Sequence, residues 1–370
     1  MQGYNKLSMN GYWLDQPEKE QTMTNTIKTT CAYCGVGCGV EVQKLEAGTE
    51  ATKVSPDKSH PANGGALGGV LCSKGSALGE TLQLGDRLLY PKINGERADW
   101  DTALNKVAKE FKHAIDEHGP ESVAFYVSGQ LLTEDYYVAN KLMKGYIGSA
   151  NIDTNSRLCM SSAVAGHKRA FGSDTVPGCY EDFELADLIV LVGANTAWCH
   201  PILFKRIQDA KRAGRQLMVV DPRCTPSASQ ADLHLPLKAG SDVLLFNGLL
   251  VWLADHNALN HEYITAHCDG FKETLAQARL DAPNLQSVAE GCDLSIDDLR
   301  RFYSAFETTE RSTTLFSMGV NQSSQGTDKV NAIINCHLAT GRVGKPGASP
   351  FSMTGQPNAM GGREAGGLAN

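Results

Sequence analysis

The spacing of hydrophobic and polar residues changes character near residue 90 and again near residue 341. Ahead of the first change, Val40-Glu41-Val42 alternates as a half-buried strand does, and Ala51 to Val54 can pair back with it across Glu46-Ala47-Gly48-Thr49 as a hairpin. A small β-rich domain ending near Tyr90-Pro91 follows from this. From Asp99 the period becomes helical: Leu104, Val107, Ala108, Phe111 and Ile115 share one face, Asp101 is the expected N-cap, and Gly119-Pro120 ends the element. Ser122 to Val127 then reads as an apolar strand and Thr133 to Ile147 as a second helix. Strand and helix alternate from here on, which predicts an α/β fold with a parallel sheet covered by helices.

The clearest βαβ unit runs from Leu188 to Val192, through the turn Gly193-Ala194-Asn195-Thr196, along a helix from about Pro201 to Ala213, and into Gln216 to Val220 and Asp221-Pro222-Arg223. In open α/β sheets a ligand sits beyond the C-terminal ends of the strands, where such a turn lets the backbone approach a pyrophosphate. The turn lacks the Gly-x-Gly-x-x-Gly of nicotinamide enzymes, and a purely structural turn would also contain some Gly and Asp. Ala254 to Thr309 is helical and charged, and His256, His261 and His267 read as solvated helix surface. A strand at Thr313 to Ser317 and a helix at Lys329 to Thr340 come next, and beyond Gly341 all period is lost in a Gly/Pro-rich run, as in a long functional loop.

Composition narrows the classes. A chain of 370 residues suggests two or three domains, and a net charge of −7 argues against a nucleic-acid partner. Eleven cysteines without a secretory or twin-arginine signal point to a reducing compartment, the cytoplasm, and no run is apolar and long enough to span a bilayer.

Chemistry concentrates in Cys31-Ala-Tyr-Cys34-Gly-Val-Gly-Cys38 and the later Leu71-Cys72-Ser73-Lys74. Three thiols this close, with Gly35, Gly37 and Gly39 letting the backbone curl, can converge with a fourth on a [4Fe-4S] cluster. Structural zinc also takes four thiolates but usually from two short Cys pairs, and a disulfide framework is a distant third. Cys179, Cys199, Cys224, Cys268, Cys292 and Cys336 carry no ligand spacing and read as bystanders. Cys159, in Asn155-Ser-Arg-Leu-Cys159-Met160, follows a turn-forming Asn-x-Arg, so it is expected at a loop-to-helix junction that favours thiolate. Taken alone it is more often an inert buried cysteine.

These stretches together resemble the molybdopterin oxidoreductases, most closely the bacterial assimilatory nitrate reductases, over nearly the whole chain. One departure is Gly64 to Val70, which lengthens the link from His60-Pro-Ala-Asn63 to Leu71-Cys72. The resemblance implies a [4Fe-4S] domain over 24–90 and an α/β region over 91–370 of a longer protein, with a guanine-dinucleotide subdomain at about 185–320. It assigns Cys31, Cys34, Cys38 and Cys72 to the cluster, Cys159 to molybdenum, and Lys74 to the gap between cluster and pterin. Gly193, Asn195, Asp221, Arg223, Gly240, Asp242, Met318, Gly319 and Gln322 are implied for Mo-bis(molybdopterin guanine dinucleotide). Arg363 and Gln356 would line the substrate pocket, and Met160, where formate enzymes usually carry His, favours nitrate reduction. The implied reaction is the two-electron reduction of nitrate to nitrite. Its electron donor is left open among a flavoprotein NAD(P)H reductase, ferredoxin and flavodoxin. The alternatives are a formate dehydrogenase or other molybdopterin oxidoreductase, and a molybdenum-free iron-sulfur electron-transfer module.

Residues 1–23 are polar and aperiodic and are expected to be a disordered leader, with translation starting at Met23. Mass spectrometry of the native N-terminus tests this; a Met1 start overturns it.

Overall fold

Thr26–Thr30 (β1), Gly39–Lys44 (β2) and Thr52–Pro56 (β3) pair antiparallel in the order β1-β2-β3. They belong to a computed structural model that describes residues 26–44, 52–85 and 87–368. The expected hairpin is present, with Val42 opposite Val54, while its turn and the leader at 1–23 lie outside the described residues. No apolar alternation announces β1, whose residues are all exposed; it is a strand because β2 offers it a free edge.

The long link before Cys72 is pinned by Asn63, which is fully buried. Its Oδ1 accepts from the Gly39 N–H at 2.7 Å, and its Nδ2 donates to the carbonyls of Gly39 at 3.0 Å and Val70 at 3.1 Å. Both ends of the Gly64–Val70 insertion are therefore tied back, and Gly65–Leu67 between them closes as a single 3-10 turn. Ser73–Ser76 (α1) then starts directly after Cys72.

A two-residue hairpin, Lys92–Ile93 (β4) with Glu96–Arg97 (β5), leads into the long helix Trp100–His118 (α2). Its cap is Asp99 rather than Asp101, because the Asp99 carboxylate accepts from the Thr102 N–H at 2.7 Å. The expected apolar face is buried only in part. Phe111 and Ile115 pack beside Val123 and Tyr136, whereas Leu104 is 60% exposed and Val107 is 50% exposed. The reason is the size of what lies beneath: a two-stranded parallel sheet, Phe125–Val127 (β6) with Ile152–Thr154 (β7), that the helix outruns. β6 is shorter than expected because Pro120–Ser122 form a 3-10 turn. Thr133–Lys141 (α3) continues as a π-turn over Leu142–Ile147, so the helical stretch has the expected extent.

Asn155–Phe171 (α4) and the short Asp182–Leu185 (α5) precede the main sheet. Its strands are Leu188–Val192 (β8), Gln216–Val220 (β9), Leu233–Leu235 (β10), Ser312–Phe316 (β11) and Ser349–Ser352 (β12), in the order β10-β9-β8-β11-β12. All pairings are parallel. Every residue of β8 and β11 is buried, as strands covered on both faces require. Side chains alternate between the faces. Leu188, Val190 and Val192 face a helical layer built mainly from the helices Asp242–Asp255, Leu285–Cys292, Ile296–Thr308 and Gly326–Ala339. Ile189 and Leu191 face Pro201–Arg212 (α6) together with Cys31, Val36, Cys38 and Val40 of the cluster domain. The small domain is thus seated on one face of the sheet.

β12 corrects the expectation that all order stops at Gly341. Its Pro350 sits opposite Thr314, tolerated because β12 is the edge strand and needs no outward amide. Arg206 of α6, 3% exposed, holds the two domains together: Nε donates to the Ala62 carbonyl at 3.1 Å and Nη1 to Glu184 at 2.9 Å. Burial raises the Glu184 pKa, and the guanidinium opposes that shift. Tyr180 completes the contact by donating to the Val36 carbonyl at 3.1 Å.

Replacing Asn63 with Ala strands the buried Gly39 amide, while the Gly39 carbonyl keeps its bond from the Asp57 N–H at 3.0 Å. The expected loss is about 1–3 kcal/mol, read as a lower denaturant midpoint at unchanged slope; an unchanged midpoint removes Asn63 from its pinning role.

Candidate functional site

Each proposed cluster ligand is set by local backbone geometry. The Cys31 amide donates to the Cys38 carbonyl at 2.8 Å and the Gly37 amide to the Cys34 carbonyl at 3.2 Å, closing the loop with Gly37 at φ +67°. Gly35 is required for packing: a Cβ there would meet the Thr354 carbonyl oxygen at 2.2 Å, and its amide donates to the Gly355 carbonyl at 3.0 Å. Burial pushes the Cys38 thiol up to about 12, reinforced by Cys34, Cys31 and Cys72, and burial likewise raises Cys31 and Cys34. Four thiols this close cannot all ionise without a cation among them, which is what iron supplies. Among the described residues no three His, Cys, Asp or Glu side chains close tightly enough to grip a single ion. The exposed Lys74 opposes the upward shifts of Cys31 and Cys34, and its charge also acts on Cys199 and His200.

A first cavity, of about 300 Å³, opens where the strand order reverses, between β8 and β11. Gly193 and Asn195 follow β8, Asp221 and Arg223 follow β9, Gly240 and Asp242 follow β10, and Met318 and Gly319 follow β11, and all eight are on its wall. Gln322, four residues past Met318, is not. Gly193 (φ +53°) and Gly319 touch: a Cβ on Gly193 would lie 2.7 Å from the Gly319 Cα, and the Gly319 amide donates to the Gly193 carbonyl at 2.9 Å. Asp221 accepts from the Arg223 N–H at 2.9 Å, and Asn195 Oδ1 accepts from Ser227 Oγ at 2.9 Å.

Two residues on this wall escaped the sequence reading. Lys329 of the helix Gly326–Ala339 pairs with Asp242 at 2.7 Å, both nearly inaccessible. His200, fully buried, bonds the Thr354 carbonyl at 2.7 Å through Nε2, which makes Nε2 the donor, and burial lowers its pKa so that the ring is neutral. Its Nδ1 has no partner among the described residues, leaving a buried acceptor that suits a ligand bearing N–H groups, such as a pterin or guanine.

A second cavity, of about 440 Å³, holds Met160 and Arg363 on its wall. Arg363 is ion-paired with Asp174, with Glu364 at 3.8 Å, so its charge is already engaged. The Met160 sulfur lies 3.3 Å from Asn321 Nδ2. Cys159 is not at a loop-to-helix junction. Thr154 is extended (φ −133°, ψ 158°) and caps a helix that already includes Asn155, which puts Cys159 in the second turn, buried beside Met160 and behind the cavity wall. Gln356 also lies off both walls: its Oε1 accepts from Thr354 Oγ1 at 3.2 Å, and its side chain packs on Gly129. The Thr354-Gly355 segment joins the three places, since it binds Gly35 and His200 and lines the second cavity. Asp174 and His167, also on that wall, follow no motif and carry no sequence signal.

Residues 24–83 match the molybdopterin oxidoreductase Fe4S4 domain and residues 87–369 the molybdopterin oxidoreductase family. A nitrate reductase of Klebsiella oxytoca is 54% identical over 94% of this chain and 39% of its own length. One of Shewanella frigidimarina is 52% identical over 93% and 37%. The F420-dependent formate dehydrogenase 1 subunit alpha of Methanococcus maripaludis is 34% identical over 93% and 50%. The chain therefore spans half or less of the length of these relatives. Acetylene hydratase from Pelobacter acetylenicus, at 23% identity, shares the fold with a TM-score of 0.71 over 88% of this chain and 44% of its own. Four gathered thiols and a crevice at the strand switch point fit the [4Fe-4S] cluster and molybdenum-molybdopterin that these matches carry, and the chain belongs to the molybdopterin oxidoreductase family.

Proposed function

We propose that this chain is the cluster- and dinucleotide-binding part of an assimilatory nitrate reductase, which reduces nitrate to nitrite in the cytoplasm. The observation that carries the proposal is the Thr354-Gly355 joint. It connects the cluster loop, the switch-point crevice and the cavity of Met160 and Arg363, so an electron entrance, a cofactor cleft and an anion-binding chamber adjoin one another. The nitrate reductases at 52% and 54% identity support nitrate over formate as substrate. So does Met160, whose thioether cannot take up the proton that formate oxidation releases. Formate oxidation is the second reading, favoured by the relative at 34% identity.

When bound, Mo-bis(molybdopterin guanine dinucleotide) supplies two-electron oxygen-atom transfer and the [4Fe-4S] cluster supplies electrons one at a time. Cys31, Cys34, Cys38 and Cys72 would hold the cluster, and Cys159 would ligate molybdenum with a soft thiolate. Asp221 and Asn195 would accept from the guanine nucleoside, while Arg223 and the Gly193 turn would hold phosphate. Lys74 would stabilise the more negative, reduced state on either side of it. Arg363 would grip the flat nitrate ion through its planar fork of donors, with Gln356 behind it and Met160 as an apolar wall. The reaction consumes two protons and releases water with nitrite. Its electrons would come from a flavoprotein NAD(P)H reductase, ferredoxin or flavodoxin. Among the described residues no helix is long and apolar enough to cross a membrane.

Changing Cys159 to Ala in the complete protein should abolish nitrate reduction while the reduced iron-sulfur EPR signal persists; retained turnover refutes its assignment. Arg363→Lys should raise the KM for nitrate roughly tenfold, because an ammonium cannot reproduce the two-pronged contact. An unchanged KM moves the anion elsewhere. Elemental analysis of anaerobically purified protein should find iron and molybdenum, whereas iron alone identifies a molybdenum-free electron-transfer module.

A further inference from the structure

The second cavity contains polar atoms that its own side chains do not satisfy. His167, 1% exposed, makes no well-formed hydrogen bond at either ring nitrogen, the carbonyl of Ala163 one turn back being its nearest backbone acceptor, and the hydroxyls of Ser156 and Ser352 on the same wall have no partner among the described residues. Buried polar groups in folded proteins are nearly always partnered, so three such side chains around one cavity call for an explanation. The ring cannot travel to find a partner, because it is packed against Phe171 with centroids 6.0 Å apart and against Phe316 at 6.1 Å. Its Nδ1 does face a carboxylate, Asp174 Oδ1, at 3.7 Å, just beyond bonding distance. The other oxygen of that carboxylate belongs to Arg363.

This arrangement poses an electrostatic problem for an incoming anion. Asp174 already occupies the guanidinium, and two negative groups cannot share it in a half-enclosed cavity without strong repulsion. Arg157 gives no relief, being paired with Asp153 at 2.8 Å, and Glu364 adds further negative charge 3.8 Å from Arg363. Only the exposed Lys168 faces the chamber without an ion-pair partner among the described residues.

We propose that Asp174 changes partner as the chamber fills: it holds Arg363 while no anion is present and moves to His167 when a small planar oxyanion takes the guanidinium. The unpaired nitrogen of His167 is then a reserved seat for the displaced carboxylate, and His167 is a positioning residue for anion binding. Ser156 and Ser352 supply hydroxyl donors to the same anion. Burial pushes the His167 pKa down, and the Asp174 carboxylate and the Ala163 carbonyl work the other way, favouring a proton on the ring. The proposal rests on Arg363 as the anion's ligand.

The exchange gives two substitutions opposite signs. In the complete protein, Asp174→Asn removes the competitor, and the nitrate concentration for half-maximal thermal stabilisation should fall several-fold. His167→Phe, which preserves the ring packing, leaves the displaced carboxylate unpaired. It should raise that concentration, and KM, roughly tenfold with little change in kcat, while His167→Gln restores part of the loss. In the Asp174→Asn background His167→Phe should have no effect. Shifts of the same sign, or additive shifts, overturn the exchange. So does a His167→Phe protein that loses molybdenum relative to iron while its loaded fraction binds nitrate normally, since the ring would then serve the cofactor. Running formate in parallel separates this idea from the assignment of substrate: opposite-signed shifts with formate in an enzyme that oxidises formate retain the exchange and refute nitrate reduction.

Discussion

Two glycines in contact set the position of the central cleft. Because Gly193 and Gly319 lack side chains, the turns after β8 and β11 meet backbone to backbone, and the crevice between neighbouring strands stays narrow and lined by main chain. Any larger residue at either position would drive the turns apart. The rest of the arrangement follows from that spacing. The ends of β9 and β10 bring Asp221, Arg223, Gly240 and Asp242 to the same opening, and the cluster domain lies against the face of the sheet next to it. The buried Arg206 makes this seating specific. It costs desolvation that only its full set of acceptors offsets, so the small domain fits in one orientation.

The charges near the cleft are graded. Thiols at one end repel one another and await cations, and Lys74 stands beside them as a fixed positive charge. The crevice itself holds a closed internal pair, Asp242 with Lys329, and a neutral histidine with one free acceptor. The far cavity holds an arginine already neutralised by a carboxylate. Asp221 and Arg223 add one charge of each sign to the crevice wall, so only the thiol end and the far cavity are dominated by a single group.

Much of this was legible in the sequence because it is local. A buried strand followed by Gly-x-Asn or Asp-Pro-Arg has its turn at the strand's C-terminal end, and parallel strands put all such turns on one edge. That is why residues as far apart as Gly193 and Met318 were expected together and share a wall. Residues contributed by helices were not legible. Lys329, His200, His167 and Asp174 depend on which side of a helix or loop turns inward, and a single sequence does not encode that directly. Cys159 was misplaced because Asn-x-Arg favours a turn, but Thr154 supplies the extended residue one step earlier and the helix absorbs the asparagine. β12 was missed because Gly and Pro around it signal loop, whereas pairing with β11 on one side only makes proline acceptable.

The bond between Gly35 and Gly355 ties together parts of the chain more than three hundred residues apart. During synthesis the cysteine loop leaves the ribosome long before this partner exists, and Tyr180 reaches it before Gly355 does. Contacts of such long range form late. Until then that loop has its own bonds, from the Cys31 amide to Cys38 and from the Gly37 amide to Cys34, and the Tyr180 hydroxyl on Val36, so its last backbone anchor is supplied by the segment farthest from it in sequence.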